Sequence, residues 1–216
     1  MTTITPADVA RIGARAGRAG VSRMPLRGVS IDSREIAPGS LFVAIRGERT
    51  DGAKYIAELF RRGFREFLVE RKSLSLVPAL VRRSSSVVVA GTDARAALTR
   101  LAEISRARLT ATVVAITGSS GKTTSKEFLR ALLETSLSTG AVHASPRSFN
   151  NDLGVPLTIL NTAPRTRILI LEMGMNHAGE LRRLARLGRP HIAGILNIGD
   201  SHAGNFAGGR GGPGRA

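Results

Sequence analysis

Ala111-Thr-Val-Val-Ala-Ile-Thr117 runs directly into Gly118-Ser-Ser-Gly121-Lys122-Thr123-Thr124, and from there into Ser125-Lys-Glu-Phe-Leu-Arg-Ala-Leu-Leu-Glu134. The first stretch is apolar and rich in β-branched residues, as in a strand buried on both faces of a parallel sheet. The last has helical spacing. Between them lies a turn whose glycines permit close backbone approach. Backbone N–H groups of such a turn, together with a helix N-terminus, make an anion site. Lys122 is placed to contact β/γ-phosphates, and the Thr123 hydroxyl to ligate Mg²⁺. A standard phosphate loop, G-x-x-x-x-G-K-[ST], needs glycine at 116, where this chain has Ile116. The loop is therefore a compressed variant starting at Gly118. A Gly-Ser turn with an incidental lysine is the alternative, and the strand–turn–helix context favours phosphate.

Downstream the same beat continues. AVHAS, the segment NNDLGVPLTILN, the strand RILILEMG, the helix AGELRRLARLG and the strand HIAGILNIG follow in order. Strands alternating with helices imply βαβ units and a parallel, doubly wound sheet. Upstream the pattern differs. TPADVARIGARAG has the spacing of a short helix, with Thr5 as N-cap and Pro6 in the first turn. GVSID and LFVAI read as strands around the turn-rich REIAPGS. Asp51-Gly52 opens the helical AKYIAELFRRG. REFLVE and SVVVA are further strands with a polar stretch, RKSLSLVPALVRRSS, between them, and Asp93 caps ARAALTRLAEISRAR. The expected fold is α/β. A small mixed α/β domain at 1–108 precedes an incomplete phosphate-loop parallel-sheet domain at 109–207 and a Gly-rich tail at 208–216.

With 42% hydrophobic residues in 216, the chain has material for a core, and simple disorder is excluded. It has no cysteine, so disulfides, thiolate zinc sites and cysteine nucleophiles are excluded. No apolar run approaches a membrane span, and MTTITPADVARIG lacks the apolar segment of a signal peptide, so a cytoplasmic protein is expected. The net charge is +16. It is spread along the chain, with 20 basic and 10 acidic residues in 1–110 against 12 and 6 in 111–216. Aromatic residues are 4%, too few for a stacking platform. Scattered charge lacks the clustering of a nucleic-acid footprint, so no nucleic-acid partner is expected.

Other residues carry candidate chemistry. Glu172 ends the strand RILILE at the carboxyl edge of the expected sheet, where ligands of open α/β sheets sit. A carboxylate there can hold a Mg²⁺ bound to phosphates, or it can be a surface residue. His202 follows another strand and reads as a solvated side chain or a metal ligand. His143 and His191 have no such context and are read as structural. Asn150 and Asn151 suit a turn or helix cap before LGVPLTIL. Asp32, Ser33 and Arg34 suit an Asx/Ser turn with an exposed Arg.

The loop T-G-x-x-G-K-T resembles that of the Mur ligase superfamily, ATP-dependent amide ligases. Asp32-Ser33-Arg34, Pro38-Gly39-Ser40-Leu41-Phe42-Val43-Ala44 and Gly47-Glu48-Arg49-Thr50-Asp51-Gly52 resemble the uridine-nucleotide-binding first domain of its two later members. Asn150-Asn151-Asp-Leu-Gly154-Val-Pro156 and Glu172-Met-Gly-Met-Asn176 with Gly179-Glu180 are similar to the branch that adds D-alanyl-D-alanine to UDP-N-acetylmuramoyl-tripeptide. One departure concerns Asp51-Gly52-Ala53, where the family often has histidine after Asp-Gly.

The resemblance implies ATP and Mg²⁺ as cofactors and a role in peptidoglycan precursor synthesis. ATP phosphorylates the terminal carboxylate of the UDP-sugar tripeptide, and the D-alanyl-D-alanine amine attacks the acyl phosphate. It implies that Gly118, Ser119, Ser120, Gly121, Lys122, Thr123 and Thr124 bind ATP, with Lys122 also catalytic. Thr123, Glu172 and His202 are implied as metal ligands, and Asp32, Ser33, Arg34, Asn150 and Asn151 as substrate contacts. A monomer is expected. The likeness fades after about Phe206, where the superfamily continues with a carbamylated lysine, an adenine-binding region and a third domain. GGRGGPGRA therefore reads as a truncated or frame-shifted end. A non-catalytic remnant that binds UDP-sugar or nucleotide phosphate is the alternative function, and a generic phosphate-loop ATPase is a distant third.

Overall fold

A computed structural model describes residues 4–15, 26–91 and 93–199. The chain divides into two compact units. One comprises Met1–Leu109 with Ile159–Pro164, the other Thr110–Thr158 with Arg165–Ala216.

The first unit is built on a five-stranded sheet. Its strands are β1 (Gly13–Arg15), β2 (Val29–Ser30), β3 (Leu41–Val43), β4 (Glu66–Glu70) and β5 (Ser86–Ala90), in the order β1-β5-β4-β3-β2. β2 to β5 run parallel, and β1 joins β5 antiparallel. β4 and β5 are apolar on both faces because both faces are covered. Phe67 and Val69 of β4 pack with Phe42, Ile56, Leu59, Val81 and Val87 in one cluster. Helix α4 (Ala94–Arg108) also packs against β4 and buries Leu98 and Leu101. It begins where Asp93 accepts a hydrogen bond from Ala96 N–H at 2.7 Å.

One expectation for this unit changes. The helix read over TPADVARIGARAG is shorter: α1 spans Pro6–Arg11 and β1 follows at once, while the last residues of that stretch lie outside the described residues. Gly13 explains the switch. A methyl there would run into the Val89 carbonyl, so only glycine allows the chain to lie against β5. Thr5 caps α1 as expected, in a reciprocal box with Asp8. The polar stretch between β4 and β5 is helical. It holds a 3₁₀ turn at Arg71–Leu76 and α3 (Ala79–Ser84), seated by buried Ser73, Val77 and Val81. Ahead of it, α2 (Ile56–Arg61) follows a 3₁₀ turn at Gly52–Tyr55 that Asp51 caps.

The second unit is a parallel four-stranded sheet, as the strand–helix alternation predicts. β6 (Thr112–Thr117), β7 (Val142–Ala144), β8 (Ile168–Glu172) and β9 (Ile192–Ile195) lie in the order β7-β8-β6-β9. The helices are α5 (Lys122–Ser136), α6 (Gly154–Leu160) and α7 (Glu180–Gly188). Pro156 falls near the start of α6, between the helical bonds from Val155 N–H to Asn151 C=O and from Leu157 N–H to Leu153 C=O. The register pairs Ile116 with Glu172 and Thr117 with Ile195. This brings Glu172 level with the start of the glycine turn at the carboxyl end of the sheet. β9 is an edge, and Ile192 and Ile195 are exposed on it. Among the described residues no helix is long and apolar enough to cross a membrane.

The segment Ile159–Pro164 belongs to the first unit. There the Asn161 side chain pairs with the backbone of β2: its Oδ1 accepts from Val29 N–H and its Nδ2 donates to Val29 C=O, both at 2.9 Å.

Candidate functional site

The glycine turn leaves β6 at Thr117 and becomes α5 at Lys122. Gly121 holds φ 79°, a left-handed conformation that side-chain-bearing residues seldom adopt. No side chain caps α5, so its first N–H groups remain for an anion. Lys122 folds back over the turn, donating from Nζ to Gly118 C=O at 2.6 Å and Ser119 C=O at 3.4 Å. An ammonium held there is the cation a polyphosphate meets on entering the loop.

The loop is clasped by the segment after β9. Asn197 accepts from Ser120 N–H at 3.0 Å, and its Nδ2 donates to Ser120 Oγ at 3.1 Å. Ser119 N–H donates to Asn197 C=O at 3.2 Å, and Ser119 Oγ accepts from Gly199 N–H at 2.9 Å. Sequence reading missed Asn197. Its one signal was an Asn just past a strand end, and its importance depends on β9 lying next to β6.

Glu172 is fully buried. Its Oε1 accepts from Thr123 Oγ1 at 3.1 Å and from Asn150 Nδ2 at 2.9 Å. Its backbone N–H donates to Ser145 Oγ at 3.1 Å. Its Oε2 is buried without a hydrogen-bond partner and faces Lys126 Nζ at 3.3 Å. The reading of Glu172 as a surface residue is therefore overturned. A buried carboxylate with one unsatisfied oxygen, beside a threonine hydroxyl, is a donor set for a hard cation. Among the described residues no cluster of three His, Cys, Asp or Glu could hold a metal ion. One carboxylate and one hydroxyl suit Mg²⁺, which keeps waters and takes further oxygens from phosphates rather than from a protein cage.

The remaining candidates are placed as follows. His202 lies outside the described residues. Asn151 caps α6, its Oδ1 accepting from Leu153 N–H at 3.1 Å and Gly154 N–H at 2.9 Å. Asn150 is drawn to Glu172, and its backbone C=O accepts from Gly174 N–H at 2.7 Å. His191 Nδ1 accepts from Val113 N–H at 2.8 Å, a structural role. Burial holds the pKa of His143 below its ordinary value.

In the first unit, Asp32 and Arg34 form a bidentate pair at 2.9 and 2.6 Å, and the Asp32 side chain also accepts from Arg34 N–H. Ser33 C=O accepts from Arg62. A separate cavity of about 350 Å³ in this unit is lined by Arg46, Arg49, Thr50, Asp51, Lys54 and Lys72, among others. Its cations suit an anionic ligand. Ala53, at the family's histidine position, is fully buried in the 3₁₀ turn, and its N–H donates to Asp51 Oδ1 at 2.9 Å.

Residues 25–109 match the Mur ligase family catalytic domain and residues 116–210 the Mur ligase middle domain. The chain belongs to the Mur ligase family. It is 37% identical over 177 residues to the UDP-N-acetylmuramoyl-tripeptide--D-alanyl-D-alanine ligase of Bacillus subtilis, covering 82% of this chain and 37% of that protein. It is 38% identical over 191 residues to the ligase of the same name from Mycobacterium tuberculosis H37Rv, with the same coverage. A crystal structure of MurF from Acinetobacter baumannii superposes with TM-score 0.76 at 31% identity, over 94% of this chain and 42% of that one. MurF from Thermotoga maritima, in complex with ADP, superposes with TM-score 0.66 at 35% identity, over 82% and 38%. The chain thus spans 37% of the length of these curated relatives. The family and fold read from the loop, Asn-Asn and Glu-Met-Gly motifs are borne out.

Proposed function

We propose that this chain carries the UDP-sugar-binding and ATP-phosphate-binding parts of a ligase that joins D-alanyl-D-alanine to UDP-N-acetylmuramoyl-tripeptide, in peptidoglycan precursor synthesis in the cytoplasm. The observation that carries this is the meeting of Thr123 and Asn150 on the buried Glu172, directly beside the glycine turn. ATP with Mg²⁺ supplies the phosphoryl group that activates the tripeptide carboxylate. The residues of the chain bind, orient and neutralise. Gly118, Ser119, Ser120, Gly121 and Thr124 present the turn and helix start to the phosphates. Lys122 offers positive charge to the oxygens on which charge accumulates. Thr123 and Glu172 are the metal ligands, with His202 a third. Asn150 and Asn151 serve the sugar-peptide substrate, Asn150 also orienting Glu172 and Asn151 fixing α6. Asp32, Ser33 and Arg34 serve the uridine diphosphate.

A second reading is favoured by the cation-lined cavity of the first unit, an anion-binding feature that requires no ligation. On it, the chain binds nucleotide or UDP-sugar without ligating. Phosphate release from ATP with UDP-sugar tripeptide, measured with and without D-alanyl-D-alanine, separates the two. Dipeptide-dependent release with the pentapeptide product supports the ligase. Binding of Mg²⁺-ATP with no such release supports the second reading, and no binding of either nucleotide defeats both.

A further inference from the structure

One turn beyond Lys122, helix α5 carries a second lysine that the roles above leave unused. Lys126 has no exposed surface. Its Nζ donates to the backbone carbonyl of Arg147. It lies 3.3 Å from Glu172 Oε2 and 3.3 Å from Glu127 Oε1. Glu127 is half exposed and is also held by Arg130 at 2.8 Å. An ammonium withdrawn from water is costly unless paired, so a lysine in this position needs its counter-charge. Helical spacing does the rest. Thr123 and Lys126 are three residues apart and share a face. The hydroxyl takes Glu172 Oε1 and the ammonium faces Oε2, so one helix holds both oxygens of one carboxylate. The carbonyl that Lys126 also binds belongs to Arg147, a non-glycine residue at φ 49°. It opens the loop that delivers Asn150 to the same carboxylate.

We propose that Lys126 is a positioning residue that occupies the place of a divalent cation at Glu172: it is the counter-charge for the carboxylate while no metal is bound, it yields Oε2 when Mg²⁺ arrives, and it ties the Asn150 loop to the phosphate helix. This rests on Glu172 being a metal ligand. Lys126 and Mg²⁺ then compete for one oxygen, and their effects on stability are reciprocal.

The test uses the whole chain and thermal unfolding, with Mg²⁺ titrated in the presence of ADP. K126M leaves Glu172 buried without its counter-charge. It is expected to melt below wild type in EDTA, to recover more than wild type as Mg²⁺ is added, and to reach half-recovery at about tenfold lower Mg²⁺. The double variant K126M/E172Q removes both charges and is expected to be more stable than K126M in EDTA, with no Mg²⁺ recovery. If K126M does not fold in EDTA, folding of the double variant alone supports the proposal, and failure of both overturns it. Losses in K126M that are the same with and without Mg²⁺, and additive with E172Q, also overturn it, since they describe a lysine that only fills space and holds Arg147. The metal reading of Glu172 fails separately, if E172Q and wild type respond to Mg²⁺ alike.

Discussion

Thr123 and Glu172 lie 49 positions apart in sequence and 3.1 Å apart in space, and their contact makes single substitutions informative. Lys122→Ala removes the cation of the glycine turn and should weaken ATP binding by about 1.5–3 kcal/mol, the scale of a charged hydrogen bond. Isothermal titration checks this. Thr123→Ala should leave metal-free ADP binding near wild type and blunt its strengthening by Mg²⁺. Equal affinities in all three proteins would remove the loop from the site. The glycine turn was legible in sequence because a strand, a turn and a helix start are local features. Glu172 was legible because strand ends in parallel sheets collect ligands. Lys126 and Asn197 were not. A lysine in a helix normally lies in solvent, and only the β8 carboxylate and the Arg147 loop make its burial possible. Asn197 matters through the pairing of Thr117 with Ile195, a register that no short window of sequence contains.

Among the elements, α1 shows how much a terminal helix depends on one ion pair. Asp8 is 2% exposed and takes both guanidinium nitrogens of Arg108, at 2.6 and 2.7 Å. The Arg108 hydrogen bonds, with those from Thr5, hold the Asp8 carboxyl down at about 2 against an ordinary 3.8. A lowered carboxyl pKa stabilises the fold above the unfolded value, and the benefit is lost as pH falls from about 4 toward 2. Because Arg108 is 41% exposed, solvent reduces the contribution to about 1–2 kcal/mol. Denaturant unfolding of Arg108→Gln should lose that amount at pH 7 and converge on wild type near pH 2. On the sheet beneath, Phe67→Ala empties a fully buried site in β4 and should cost about 3–5 kcal/mol, read in the same experiment. The helix expected past Ile12 failed for a reason local pattern does not carry. The spacing of TPADVARIG is helical, but the free edge of β5 recruits Gly13 into a strand. β9 carries an open question of solubility, since Ile192 and Ile195 are exposed on an edge strand. Ile195→Lys should reduce light scattering on heating without altering nucleotide binding.

At the scale of the whole chain, the order of units was legible from the change of rhythm near Leu109, because a run of βαβ units announces itself. The return of Ile159–Pro164 to the first unit was not, since the pairing of the Asn161 amide with the Val29 backbone joins residues 132 positions apart. That return matters while the chain is being made. The first unit is discontinuous: the β2 edge lacks its Asn161 partner until the ribosome has released a segment more than fifty residues beyond α4. A nascent chain ending at 109 should be a protease-sensitive intermediate, and one ending past 164 should become resistant. Asn161→Ala, leaving the Val29 N–H and C=O without that partner at a cost of about 1–3 kcal/mol, should delay the change. Arrest of synthesis at successive lengths, followed by brief protease treatment, would show whether the first unit matures before or after the second one begins.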